Sequence, residues 1–132
     1  MSITRRSFGI GTASLTLGAV AAPWIRSANA AAPIKIGVIN SMSGGLAAYA
    51  QEGQPAFEYI IKKINDEGGI KSKGGAKIEL IQADDTSQPV RTATEARRLI
   101  TEEKVNLLTG TILSAQMLAL TPVLDELKMP TL

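Results

Sequence analysis

Ile34-Lys35-Ile36-Gly37-Val38-Ile39-Asn40 is the stretch that decides how this chain folds. It is short, rich in β-branched residues and bounded by Pro33 and Ser41, so it reads as a buried strand. A Ser- and Gly-rich loop follows from Ser41 to Ala48. The apolar period then changes. Phe57, Ile60, Ile61 and Ile64 fall at i, i+3, i+4 and i+7, which predicts a helix with one dry stripe. Lys62, Lys63, Asp66 and Glu67 mark its wet side, and Gly68-Gly69 supplies the C-terminal stop.

The same alternation repeats down the chain. Lys77 to Ile81 reads as a second strand and Ala83 to Gln88 as a loop. Pro89 fits the first turn of a second helix, where its missing N–H does no harm. Ala93, Ala96, Leu99 and Ile100 give that helix its apolar stripe. Val105 to Thr109 reads as a third strand, closed by Gly110. A third helix carries Met117, Leu120, Leu124 and Leu127. Pro122 inside it predicts a kink, or a restart with Thr121 as N-cap. Met129 to Leu132 opens a fourth strand. The order β-α-β-α-β-α-β implies the α/β class: a Rossmann-like, doubly wound parallel sheet with helices on both faces. A parallel sheet ending on the stub of a strand would leave an apolar edge. The expectation is an N-terminal part of the first lobe of a longer protein.

Composition narrows the chemistry. The 132 residues contain neither Cys nor His. Disulfides, thiolate nucleophiles, a lipid-modified cysteine and the commonest general base and zinc ligand are thereby excluded. Arg5, Arg6 and Arg26 lie in the first thirty residues, which hold no acid. Beyond them 11 basic and 12 acidic residues remain, net −1. Such a chain carries no electrostatic footprint for nucleic acid.

Residues 1–30 read as an export signal: the charged start MSITRR, an apolar stretch from Phe8 to Ile25, then Ala28-Asn29-Ala30, predicting cleavage before Ala31. Thr4-Arg5-Arg6-Ser7-Phe8 resembles the twin-arginine export motif, although Gly9 and Ile10 replace residues common there. Residues 31–132 are then the exported part.

In a doubly wound sheet, ligands bind outside the C-terminal strand ends, where the strand order reverses. An order beginning 2-1-3 puts that seam between strands 1 and 3. The loops Ser41–Ala48 and Gly110–Ser114 face it, each leading into a helix N-terminus suited to a carboxylate. The first loop lacks the Gly spacing and the Gly-Lys-Ser/Thr of phosphate loops. Asp84-Asp85 reads as an Asx-turn and helix entry. Glu95, Arg97, Arg98, Glu102, Glu103 and Lys104 read as a solvated face with i,i+4 pairs.

Several segments in register carry a resemblance: Ile34 to Val38, Met42-Ser43-Gly44, Ile64-Asn65-Asp66-Glu67-Gly68-Gly69-Ile70, Asp84 to Pro89, and Leu108-Thr109-Gly110-Thr111. Together they resemble the start of leucine/isoleucine/valine-type periplasmic substrate-binding proteins of ABC transporters, the type I periplasmic binding proteins. The resemblance implies two α/β lobes that close over a small solute and dock on a membrane permease. The solute would be a branched-chain amino acid or a related small amide, carboxylate or aromatic acid. It implies ligand contacts at Tyr49 and Ser114, with Ser43 and Gln116 beside them. It also implies no catalysis, no cofactor or metal, a periplasmic location and a monomer when full length. Some members carry a disulfide between the second and third βα loops; Ser87 and Leu113 stand there. Ala115 and Gln116 stand where a run of small hydroxyls occurs in others. Two rival readings are a ligand-sensing regulator built on the same lobe and an enzyme using a Rossmann-like half.

Overall fold

The computed structural model describes residues 31–132; the expected export leader, 1–30, lies outside the described residues. Strand β1 spans Ile34–Asn40 and helix α1 Ala47–Asp66. A single 3-10 turn, Lys71–Lys73, leads to β2, Ile78–Asp84. Helix α2 is Pro89–Thr101, β3 is Leu107–Gly110 and α3 is Ser114–Leu127. The three strands are parallel in the order β2-β1-β3. The expected fourth strand begins as one parallel bridge, Leu108 to Thr131. There the Leu108 N–H donates to the Pro130 carbonyl (3.1 Å), and the Leu132 N–H donates to the Leu108 carbonyl (3.2 Å).

Side chains alternate across the pleat. Ile39, Ala83 and Leu108 point to one face, where Ala96 and Leu99 of α2 and Leu120, Val123 and Leu124 of α3 close over them. Two helices covering one face make this the core. On the other face α1 lies alone, and Ala50 is its one buried residue. Its predicted dry stripe is half wet: Phe57 is 37% and Ile60 54% exposed. The periodicity marked the correct side of the helix, but one helix cannot cover a three-strand face.

Several boundaries differ from the sequence reading. α1 starts at Ala47 and runs through Pro55. α3 continues through Pro122 without the expected restart, and Thr121 is not an N-cap; its hydroxyl donates to the Met117 carbonyl (2.9 Å). Both prolines are exposed, so the carbonyl each leaves without its usual donor lies on the wet side of its helix. β2 extends three residues further, to Asp84, and β3 starts two residues later than expected, leaving Val105 as a core plug ahead of it. The charged run pairs otherwise than i,i+4. Arg98 binds Glu95 (2.8 Å) and Glu103 (3.0 Å), and Arg97 reaches across to Glu126 of α3 with both its terminal nitrogens.

β3 ends in tight backbone contact with β1. Gly110 adopts φ 108°, and a Cβ there would stand 2.1 Å from the Ile39 carbonyl oxygen. Because the obstacle is backbone, Gly110→Ala must push the two strands apart. We expect a loss of about 3 kcal/mol or more, read as a lowered urea midpoint. An unchanged midpoint would show that the seam yields freely.

Candidate functional site

All three βα loops leave the same edge of the sheet, and a buried polar cluster ties them together. Ser41, just past β1, is 1% exposed; Asp85, just past β2, and Thr92 on α2 are 0% exposed; Gln116 on α3 is 1% exposed. The Ser41 hydroxyl donates to Asp85 Oδ1 (2.6 Å), as does the Ser87 N–H (3.0 Å). The Thr92 hydroxyl and Gln116 Nε2 donate to Asp85 Oδ2, both at 2.7 Å. Gln116 Nε2 also donates to Ser41 Oγ (2.9 Å). At its other end Gln116 Oε1 accepts the N–H groups of Ile112 and Leu113, both at 3.0 Å. The glutamine therefore closes the N-terminus of its own helix while gripping the other two loops.

A second clamp lies at the surface. The Ser43 hydroxyl donates to Asp84 Oδ2 (2.6 Å), and the Thr86 N–H donates to Asp84 Oδ1 (2.8 Å). The Ser87 hydroxyl donates to the Ser43 carbonyl (2.9 Å) and accepts the Leu46 N–H (3.0 Å). Gly44, at φ 82°, lets the loops touch: a Cβ there would stand 2.6 Å from the Thr86 carbonyl oxygen. Thr86, Ser87 and Thr111 all hold positive φ, so the second and third loops carry backbone strain. Burial raises the pKa of Asp84, but hydrogen bonds from the Ser43 hydroxyl and from the Thr86, Ser43 and Met42 N–H groups outweigh it and hold the carboxyl below its ordinary value.

Beside this edge, under α1, lies a cavity of about 330 Å³. Val38, Asn40, Thr109 and Gly110 from the strand ends form its floor; Tyr49, Ala50 and Phe57 of α1 and Ile112 of the third loop are among its walls. Its surface is mostly apolar, with an amide from Asn40 and a hydroxyl from Thr109.

Of the four residues singled out from sequence, Tyr49 lines this cavity. Ser114 is exposed at the first residue of α3, on the same edge, one position past the N-cap, Leu113. Ser43 is committed to Asp84 on the loop surface. Gln116 is buried with both ends of its amide engaged inside the protein, so it holds the loops instead of facing a guest. Asn40, Thr109 and Phe57 were missed. For Asn40 and Thr109 the available signal was their place at the C-terminal strand ends that border the seam, and for Phe57 its place on the apolar stripe of α1. Asp84 and Asp85 make the expected Asx turns, through the N–H groups of Thr86 and Ser87. Among the described residues no cluster of three or more acidic side chains could hold a metal ion.

A family model described as periplasmic binding protein matches residues 33–132. The Leu/Ile/Val-binding protein homolog 7 of Brucella suis is 35% identical over 113 residues, 84% of this chain and 27% of that protein. An amino acid binding protein of Pseudomonas aeruginosa is 30% identical over 76% of this chain and 26% of its own length. The substrate binding protein LivJ of Streptococcus pneumoniae, solved with isoleucine, matches with a TM-score of 0.69 at 30% identity, over 75% of this chain and 28% of that one. A solute binding protein of an ABC transporter from Rhodopseudomonas palustris, solved with 3,4-dihydroxybenzoic acid, matches with a TM-score of 0.66 at 32% identity, over 75% and 26% of the two chains. The chain thus spans about a quarter of the length of these relatives.

The Asp84 clamp carries a pH signature. A carboxyl held below its ordinary value of 3.8 stabilises the folded chain above that value, and the contribution fades as pH falls through the lowered folded value. Ser43→Ala is expected to cost about 1 kcal/mol at neutral pH. The difference from wild type should shrink as pH falls below 3.8 and through the lowered folded value, measured by urea unfolding. A penalty independent of pH would mean that Ser43 acts without the carboxylate.

Proposed function

The chain belongs to the periplasmic binding protein family, and from that premise we propose that the protein carrying it is the extracytoplasmic solute-binding component of an ABC importer. It takes up a small carboxylate-bearing solute, an amino acid or an aromatic acid, and delivers it to a membrane permease. The observation that carries this reading is the seam at the sheet edge. Two loops meet between β1 and β3, one leading to the aromatic ring of Tyr49 and the other to the first turn of α3 at Ser114. The first N–H groups of a helix have no intrahelical acceptor and favour an anion. A carboxylate is common to isoleucine and 3,4-dihydroxybenzoate, the molecules held by two of the relatives.

In this reading Ser114 and the α3 amides take the carboxylate, and Tyr49 with the cavity under α1 takes the apolar part. Ser43 shapes the rim, and Gln116 acts through the loops it ties. The surroundings bind and do not transform: the carboxylates of Asp84 and Asp85 are both committed to internal hydrogen bonds. The twin-arginine-like leader agrees with delivery to the periplasm. A second lobe, outside this chain, closes over the solute.

Calorimetry of the full-length protein against leucine, isoleucine, valine, 4-hydroxybenzoate and 3,4-dihydroxybenzoate tests the proposal. We expect saturable binding of at least one. Ser114→Ala should weaken it by about 1–3 kcal/mol, the cost of leaving a buried polar group unpaired. Unchanged affinity removes Ser114 from the site, and silence across the panel removes the solute class.

A further inference from the structure

Asp85 presents a problem that the binding reading leaves untouched. Its carboxylate is fully buried, and no Lys or Arg approaches it among the described residues. Four donors converge on its two oxygens instead: the Ser41 hydroxyl, the Ser87 N–H, the Thr92 hydroxyl and Gln116 Nε2. They come from the first loop, the second loop, α2 and α3. A carboxylate can accept all four on its two oxygens; an asparagine offers one oxygen and turns an NH₂ group toward donors. The charge is therefore what draws the three loops to one point. Gln116 is the link to the third loop, because its far end fixes the Ile112 and Leu113 N–H groups, and Ile112 lines the cavity.

We propose that Asp85 is a positioning residue of the solute site: it touches no solute, yet its buried charge sets the spacing between the Tyr49 side and the α3 side of the seam. The inference rests on the binding role proposed above. It separates from a merely structural role because it predicts a loss of affinity beyond what destabilisation alone brings. It also predicts a specific rescue. In the pair Asp85→Asn with Gln116→Glu the carboxylate moves across the contact. The introduced carboxylate on α3 then accepts from the Ile112 and Leu113 N–H groups and from the NH₂ of the introduced amide. The oxygen of that amide keeps Ser41 and Ser87. The contact between positions 85 and 116 is kept with its hydrogen bond reversed, and the Thr92 hydroxyl turns to accept the second N–H of the introduced amide; the bond from position 116 to Ser41 Oγ is given up, because the Ser41 proton is already donated.

The test uses the full-length protein and whichever of isoleucine, leucine, valine, 4-hydroxybenzoate or 3,4-dihydroxybenzoate it binds. D85N should lower affinity by about tenfold or more, and D85N with Q116E should return it to within about threefold of wild type. Leu99→Ala, a cavity in the core away from the seam, should lower stability with little change in affinity. Thr92→Val removes one of the four bonds and should give a smaller loss, so a D85N protein that fails to fold still leaves a graded series. Affinity in D85N or T92V that follows stability along the same line as L99A would overturn the proposal. So would a double variant as weak as D85N. If the wild type binds none of the five probes, the solute reading fails by itself. Amide exchange at Ile112 and Leu113 then decides the positioning role: acceleration in D85N or T92V and recovery in the double variant support it, and unchanged exchange overturns it.

Discussion

A carboxylate stripped of water must be surrounded by donors, and around Asp85 that demand organises the whole functional edge. The group cannot be satisfied locally. Its partners lie 2, 7, 31 and 44 residues away along the chain. Satisfying them brings the ends of β1 and β2 and the starts of α2 and α3 to one place. The surface clamp of Ser43 on Asp84 repeats the device where water can reach it, so it is the weaker of the two. Together they turn three loops, segments that usually move independently, into one platform.

The sheet supplies the frame for that platform. Strand order β2-β1-β3 reverses direction at β1, so α1 goes to one face and α2 and α3 to the other. The double layer makes the core; the single helix leaves a groove beside it, and that groove is the cavity under Tyr49 and Phe57. An apolar pocket beside two helix N-termini suits a solute with one charged end and one oily end. The unequal covering of the two faces is thus part of how the site arises.

The fold was legible because its signals are local. Short β-branched apolar runs, a 3.6 stripe and glycine stops mark the strands and helices, and an order beginning 2-1-3 puts the seam between β1 and β3. Boundaries slipped where tertiary packing overrode propensity. Pro55 and Pro122 sit inside helices because their relieved carbonyls face water, and Val105 belongs to the core without pairing in the sheet. The site was legible in outline only. Tyr49 and Ser114 fall on the expected edge, whereas Gln116 has the composition of a solute-binding residue and the burial of a structural one. Nothing within a few residues of it announces a partner 75 positions earlier, at Ser41. Ser41 reads as an ordinary loop serine for the same reason. Asn40 and Thr109 escaped notice because strand ends carry little periodicity of their own.

The crowding at Gly110 has a consequence for descent. Its missing side chain is demanded by the Ile39 carbonyl at the back of the seam, whatever molecule sits in front. A lineage changing its diet cannot begin there, since any replacement damages the scaffold before it alters preference. Innovation is channelled to positions with room around them, such as Tyr49, Ile112 and Ser114, which are partly or largely open to water. In the proposed binding role, backbone contact constrains the floor of this cleft while its walls have room to change.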